Sequence, residues 1–377
     1  MAASIEKCNH QFLQLKRECD SCQVVDGLGG LSISLMNMMG ILEEYLEVME
    51  DGELAVKVLE FYFQVRHFMN MYDLLDENYV MYTEHDAQGR FHVKLFCVNP
   101  GTNLQSCMNQ GVGTIFFSAT LLPVNYYKDL LSGRDDDYAI YAKTPFLPEQ
   151  KKVLIGRDVS SRYTRRGPEE YTRISEYLYL AITAKKGNYM AFFPSYQMME
   201  GVKEIFDEKY GEKCRKGQIE ILYQSPHMNE KKREEFLEKF EQQSAGAGSL
   251  CGFCVMGGIF AEGIDLTGEK LIGVIIVGTG IPQIGNEREI LMKYYHDRGE
   301  NGFDHAYKFP GINKVFQAAG RVIRTVTDRG VILLLDERFC SPDYRMLFPR
   351  EWEDYVVTTR KTVDKELKEF WKSGESQ

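Results

Sequence analysis

Between residues 153 and 335 short apolar runs alternate with amphipathic stretches, and that alternation leaves few folds open. Residues 153–155, 189–193, 219–223, 253–256, 271–277 and 331–335 read as buried strands. Helical spacing fills several of the gaps. Tyr171, Ile174, Leu178 and Ile182 share one face over 169–186, Met199, Val202 and Phe206 over 196–210, and Phe236, Leu237 and Phe240 over 230–242. Strands and helices in turn predict an α/β fold, a mostly parallel sheet with helices on both faces. Residues 244–249 read as a flexible loop between two of these elements.

The front of the chain has a different texture. Residues 5–75 carry helix-like apolar spacing, interrupted by Asp26-Gly27-Leu28-Gly29-Gly30, which reads as a turn. Cys8, Cys19 and Cys22 could be three ligands of a cluster or zinc site, but the spacing fits helix positions as well. Residues 79–98 predict a β-hairpin around Asp86-Ala87-Gln88-Gly89. Residues 113–117 predict a short buried strand ending in Ser118-Ala119-Thr120, and 132–137 an acidic linker.

At 377 residues the chain can hold two or three cores, and 44% apolar with 27% charged residues is ordinary globular material. A net charge of −10 argues against a generic nucleic-acid coat, though not against a local basic groove. Nine cysteines without a signal peptide, and no apolar run of membrane-spanning length, predict a cytoplasmic protein with reduced thiols and no membrane partner.

Several stretches carry chemistry. Residues 317–324 read Gln-Ala-Ala-Gly-Arg-Val-Ile-Arg within a helical pattern. Ile312, Val315, Phe316, Ala319, Val322 and Ile323 would form its buried face, leaving Gln317, Arg321 and Arg324 at i, i+4 and i+7 on the other. Such a row suits an anionic ligand with several oxygens, such as a nucleoside triphosphate, and is also what a solvated helix face looks like. Residues 189–196 place Ser195 and Tyr196 where a strand meets a helix, with a helix cap as the plain alternative for Ser195. Residues 256–266 run from a strand into glycines and then Glu262 and Asp265, which suit ribose hydroxyls, an attacking water or neighbouring arginines. The loop 157–166 adds Arg157, Arg162, Arg165 and Arg166 beside Tyr163, a phosphate track or a solvated run.

Ser118-Ala119-Thr120, then Phe192-Phe193-Pro194-Ser195-Tyr196, then Glu262-Gly263-Ile264-Asp265, then Gln317-x-x-Gly320-Arg321-x-x-Arg324 resembles, in that order, the second half of a superfamily 2 helicase. The wording is closest to the XPD/DinG branch of iron–sulfur DNA helicases, and the resemblance covers residues 100 to 350. It implies a RecA-like second helicase domain at 145–350 and the end of the first RecA-like domain at 76–130. These follow a helical, Arch-like insertion at 1–75, and a C-terminal helical tail occupies 351–377.

No Gly-x-x-x-x-Gly-Lys-Ser/Thr and no Asp-Glu-Ala-His occurs in the sequence. Asp336-Glu337 follows the arginine motif and reads as a strand-end turn. The resemblance therefore implies the C-terminal portion of a DNA helicase of 5′ to 3′ polarity that serves repair or replication. This chain alone would be inactive, with the N-terminal RecA-like half as its partner.

It further implies ATP and Mg2+ shared with that half, and an iron–sulfur cluster upstream of this chain. Arg321 and Arg324 would act as arginine fingers and Gln317 beside them as catalytic groups. Glu262, Gly263, Asp265 and Gly320 would bind the nucleotide. Ser195, Tyr196 and Arg162 would hold single-stranded DNA, and Ser118 and Thr120 would couple the domains. A nucleic-acid-binding or regulatory module without turnover stays open as an alternative. A dinucleotide enzyme lacks its Gly-x-Gly-x-x-Gly turn.

Overall fold

The apolar runs of the second half pair into a single sheet. The computed structural model describes residues 1–132, 134, 136–242, 248–260 and 266–374. The first elements in chain order are α1 (Ala2–Glu18), β1 (Cys22–Val25), α2 (Gly30–Val48), α3 (Glu53–Asp73), β2 (Tyr79–His85), β3 (Phe91–Cys97), α4 (Gly101–Met108) and α5 (Val124–Leu131). There follow β4 (Lys151–Gly156), α6 (Pro168–Ala184), β5 (Asn188–Phe193), α7 (Tyr196–Lys216), β6 (Ile219–Tyr223), α8 (Glu230–Gln242), β7 (Ser249–Val255) and β8 (Gly273–Val277). The chain closes with α9 (Asn286–Asp297), α10 (Phe309–Ala319), β9 (Gly330–Leu335), α11 (Pro342–Arg345), β10 (Val356–Thr358) and α12 (Val363–Ser373).

The seven-stranded sheet runs β10-β4-β9-β8-β5-β7-β6, and each of its pairings is parallel. Alternate residues of each strand feed opposite faces, as the pleat requires. Met190, Phe192, Val274, Ile276 and Leu334 pack with Phe236 and Phe240 of α8 and Ile312, Val315 and Phe316 of α10. Ala191, Phe193, Ile275 and Leu333 face the other way, onto α6, α7 and α12. Burial on both faces explains why the strands read as unbroken apolar runs.

The chain divides into two units. The first comprises Met1–Ile115, Lys128–Asp137 and Ile284–Gly302; the second comprises Phe116–Tyr127, Tyr138–Gln283 and Phe303–Gln377. In the first unit α1, α2 and α3 enclose Cys8, Met38, Leu42, Tyr62, Val65 and Met69. The hairpin of β2 and β3 gains β1 as an antiparallel third strand. Helix α9 is sewn onto it. Tyr294 and Tyr295 pack with Val98, Val80 and Phe96. The Tyr82 hydroxyl donates to Glu287 at 2.9 Å, Asn286 donates to Glu84 at 2.7 Å, and Tyr294 donates to Asn78 at 2.7 Å.

Several expectations change here. The boundary expected at 75/76 falls inside the first unit, because β1 lies between α1 and α2 and pairs with β2. Residues 113–117 form no strand. Ile115 and Phe117 are 87% and 90% exposed, and the segment joins neither sheet. Strand propensity alone does not make a strand without a partner to bond. Residues 116–127, expected with the front half, group with the second unit. Leu122 packs on the α8/α10 side of the sheet, and the Tyr126 ring lies 5.1 Å from that of Phe309. The expected helical tail carries the edge strand β10 ahead of α12. Of the loop expected at 244–249 only 248 and 249 are described, and 249 begins β7.

Candidate functional site

The carboxyl ends of the parallel strands gather the strand-end motifs. Ser195 caps α7, its hydroxyl oxygen accepting the Met198 N–H at 3.3 Å, so the cap reading describes its oxygen. Tyr196 stands beside it, half-buried. Its hydroxyl accepts a hydrogen bond from Gln224 Nε2 at 2.8 Å, while Gln224 Oε1 accepts the Val255 N–H at 2.8 Å. The next residue, Met256, donates its N–H to Phe193 O at 2.8 Å. The exits of β5, β6 and β7 are thus tied together just before the Gly257-Gly258 turn.

The exits of β4, β9 and β8 meet in a second cluster. Asp336, fully buried at the end of β9, accepts the Ser161 N–H at 2.8 Å and the Ser161 hydroxyl at 2.7 Å. Arg338 donates to the same carboxylate from Nε at 2.8 Å and from Nη2 at 2.9 Å. Burial alone would raise this carboxyl; the Arg338 hydrogen bonds and charge, with the Ser161 hydroxyl, reverse that and hold it below the usual carboxylate range. A Cβ on Gly278, at the end of β8, would come within 2.4 Å of Ser161 Oγ and 3.8 Å of Pro194. The loop carrying Arg162 and the loop carrying Ser195 and Tyr196 therefore occupy one edge. The basic run is not uniformly open: Arg162 lies 3.6 Å from Glu337, and Arg165 pairs with Glu337 at 2.9 Å and with Glu170 at 3.1 Å.

The arginine motif lies elsewhere. Helix α10 ends at Ala319, with Gly320 as its C-cap donating to Phe316 O at 2.8 Å. Arg321 and Arg324 therefore sit in the turn beyond the helix, and with Gln317 they do not form one continuous helical row as expected. The apolar period carries on past the stop. Val322 is buried and Ile323 packs beside it, which is why the sequence reads as longer helix.

The turn is built by Asp328, whose carboxylate accepts the N–H of Arg324 at 2.8 Å and of Thr325 at 2.9 Å, and the Thr325 hydroxyl. Desolvation would raise Asp328, but the Thr325 hydroxyl and these N–H groups hold it low. Gln150 adds bonds to Val326 O at 3.0 Å and Asp328 O at 2.8 Å.

The start of α10 approaches the carboxyl edge. A Cβ on Gly311 would lie 2.8 Å from Thr279 O, beyond β8. Its end approaches the amino edge, where a Cβ on Gly330, the first residue of β9, would strike Val322 Cγ1 at 2.1 Å. Eleven residues of helix put those ends about 16 Å apart. The loop leaving β7 reaches α10 between them: Gly257, with φ of +69°, would bring a Cβ within 3.3 Å of the Lys314 side chain. Glu262, Gly263 and Asp265, the expected nucleotide-binding residues of this loop, lie outside the described residues. Ser118 and Thr120 form a local turn, with Ser118 Oγ accepting the Thr120 N–H at 3.2 Å.

Among the described residues no three His, Cys, Asp or Glu side chains converge as a metal ion would need, Cys8, Cys19 and Cys22 included. None of the described helices is long and apolar enough to cross a membrane. Sequence reasoning passed over Gln224, Asp328 and Arg338. Gln224 was findable, because it directly follows an apolar strand run, where open α/β sheets place ligand-facing groups.

Residues 178–355 match the family model of the helicase C-terminal domain. A probable ATP-dependent helicase of Methanocaldococcus jannaschii is 26% identical over 279 residues, covering 71% of this chain and 40% of that protein. The ATP-dependent DNA helicase XPD of Sulfolobus acidocaldarius is 30% identical over 195 residues, 50% of this chain and 32% of that protein. A solved apo XPD structure superposes with a TM-score of 0.57 at 18% identity, covering 93% of this chain and 68% of that one; at that identity the likeness speaks for the fold alone. Sheet, motif order and these matches make residues 178–355 similar to the C-terminal domain of helicases. The chain is similar to a part of each of these relatives, one a probable ATP-dependent helicase and the other an XPD helicase. It spans 40% or less of the two curated relatives named here.

Proposed function

We propose that this chain supplies the second RecA-like half of an ATP-dependent DNA helicase that moves 5′ to 3′ along single-stranded DNA in repair or replication. The observation that supports this most is the division of the motifs between the two ends of α10. The arginine turn lies at one end, the strand-end loops with Ser195, Tyr196 and Arg162 at the other, and the Gly257 loop runs between. ATP would bind against the arginine turn and be enclosed by the N-terminal half. Arg321 and Arg324 would neutralise charge developing on the γ-phosphate, with Gln317 aligning them or the attacking water. Gly320, Glu262, Gly263 and Asp265 would hold the nucleotide and relay its state along the loop from β7. Ser195, Tyr196 and Arg162 would grip the strand backbone, Arg162 by exchanging Glu337 for phosphate, while Ser118 and Thr120 link the halves. Domain closure on ATP and reopening after hydrolysis would step the strand. No described residue is assigned to magnesium or to an iron–sulfur cluster.

The complete enzyme tests the reading. Arg324→Ala should lower ATP turnover about 10³-fold, the low end for an arginine finger, with a much smaller loss of nucleotide affinity. Turnover at the unmodified level would remove Arg324 from the site.

A further inference from the structure

Gln224 is the buried side chain that spans two of the strand-end motifs, and the function proposed above gives it no role. It is 4% exposed and lies one residue beyond β6. Its backbone N–H donates to Phe253 O at 2.9 Å, fixing the residue against β7. Both ends of its carboxamide are then committed. Oε1 accepts the Val255 N–H at 2.8 Å and Nε2 donates to the Tyr196 hydroxyl oxygen at 2.8 Å. A Cβ on Gly258 would lie 3.1 Å from Nε2, so the amide sits directly under the Gly257-Gly258 turn.

The direction of these bonds matters. An amide oxygen can only accept and an amide nitrogen can only donate. With Oε1 taken by Val255, Nε2 faces Tyr196 and forces the phenol to act as an acceptor on that side. The phenol proton must then point elsewhere. Its recorded acceptor is Ser225 O at 3.5 Å, the limit of a hydrogen bond. Tyr196 is left as a fixed donor with a weak internal acceptor, ready for a stronger one such as a phosphodiester oxygen.

We infer that Gln224 is a positioning residue that turns Tyr196 into a hydrogen-bond donor for the nucleic-acid backbone and couples it to the Gly257-Gly258 turn. The inference rests on the reading of Tyr196 as a strand contact. Glutamate in its place keeps the shape and still accepts from Val255, but its other oxygen takes the phenol proton instead of directing it outward.

The test is a double-mutant cycle on the 377-residue chain, with a fluorescent single-stranded oligodeoxythymidylate as probe and thermal melts alongside. Tyr196→Phe should weaken binding about tenfold, the worth of a hydrogen bond to a charged group. Gln224→Glu should weaken it by a similar factor, and adding it to Tyr196→Phe should weaken it no further. Gln224→Met, which also leaves the phenol undirected, should behave alike. Losses that multiply in the double variant, or that track a fall in melting temperature, make Gln224 merely structural and overturn the inference. Tight binding by Gln224→Glu when Tyr196→Phe binds weakly overturns it while leaving the strand contact intact. Unaltered binding by Tyr196→Phe removes the contact itself, and the inference with it.

Discussion

Asp336 shows how much one carboxylate can organise. It joins the exits of β4 and β9, orders the start of the Arg162 loop, and is neutralised by Arg338, whose side chain is 18% exposed. Removing one partner of such a pair strands the other, so Asp336→Ala should cost about 3 kcal/mol. Asp336→Asn keeps the shape and isolates the charge. The folded-state pKa lies below the unfolded value, so the charge contributes stability above about pH 4 and loses it as pH falls through the folded value. Urea melts of wild type and Asp336→Asn should differ most near neutrality and converge in acid. A gap that stays constant with pH would mean that the charge is not what holds the loop. From sequence Asp336 was legible only as the residue ending a strand. Its partner Ser161 lies 175 positions away, and no local pattern announces that pairing.

Among the elements, α10 is the one on which position depends most closely. Gly311 lets its first turn lie against the backbone beyond β8, where a Cβ would meet Thr279 O at 2.8 Å and Ile281 N at 3.0 Å. Gly311→Ala must push helix and strand exit apart, at about 1–3 kcal/mol. Gly211 in α7 has nothing within 4 Å of a built Cβ. Gly211→Ala should therefore stabilise, by about 0.5 kcal/mol or a little more. Opposite signs in paired thermal melts would support the packing described; a neutral Gly311→Ala would contradict it. The principal strands were legible because burial on both faces leaves an apolar run with no other use. The end of α10 was not, since Val322 and Ile323 continue the helical period while Asp328, a side chain from further on, bends the backbone away. Residues 113–117 misled in the converse way, having strand propensity but pairing with no strand. β10, at three residues, is too short to register as a pattern.

For the molecule as a whole, the parallel sheet has helices on both faces, and purified chain should give a cooperative melt. Its ATPase should remain at background with or without single-stranded DNA, because the sequence carries the arginines but no P-loop lysine. DNA-stimulated turnover abolished by Arg321→Ala would refute that and point to an unrecognised phosphate cradle. The order of folds along the chain was readable from alternation and motif order. The return of α9 to the hairpin was not, because it rests on long-range pairs such as Tyr82 with Glu287, 205 residues apart. That return sets a schedule during synthesis. A ribosome adding about 5–20 residues per second needs roughly ten to forty seconds to travel from the hairpin to the helix that covers it. For that interval Val80, Phe96 and Val98 lack the tyrosines that later bury them. The nascent chain carries an open apolar surface past most of its own second unit, and soluble yield should depend on chaperones that bind early and release late.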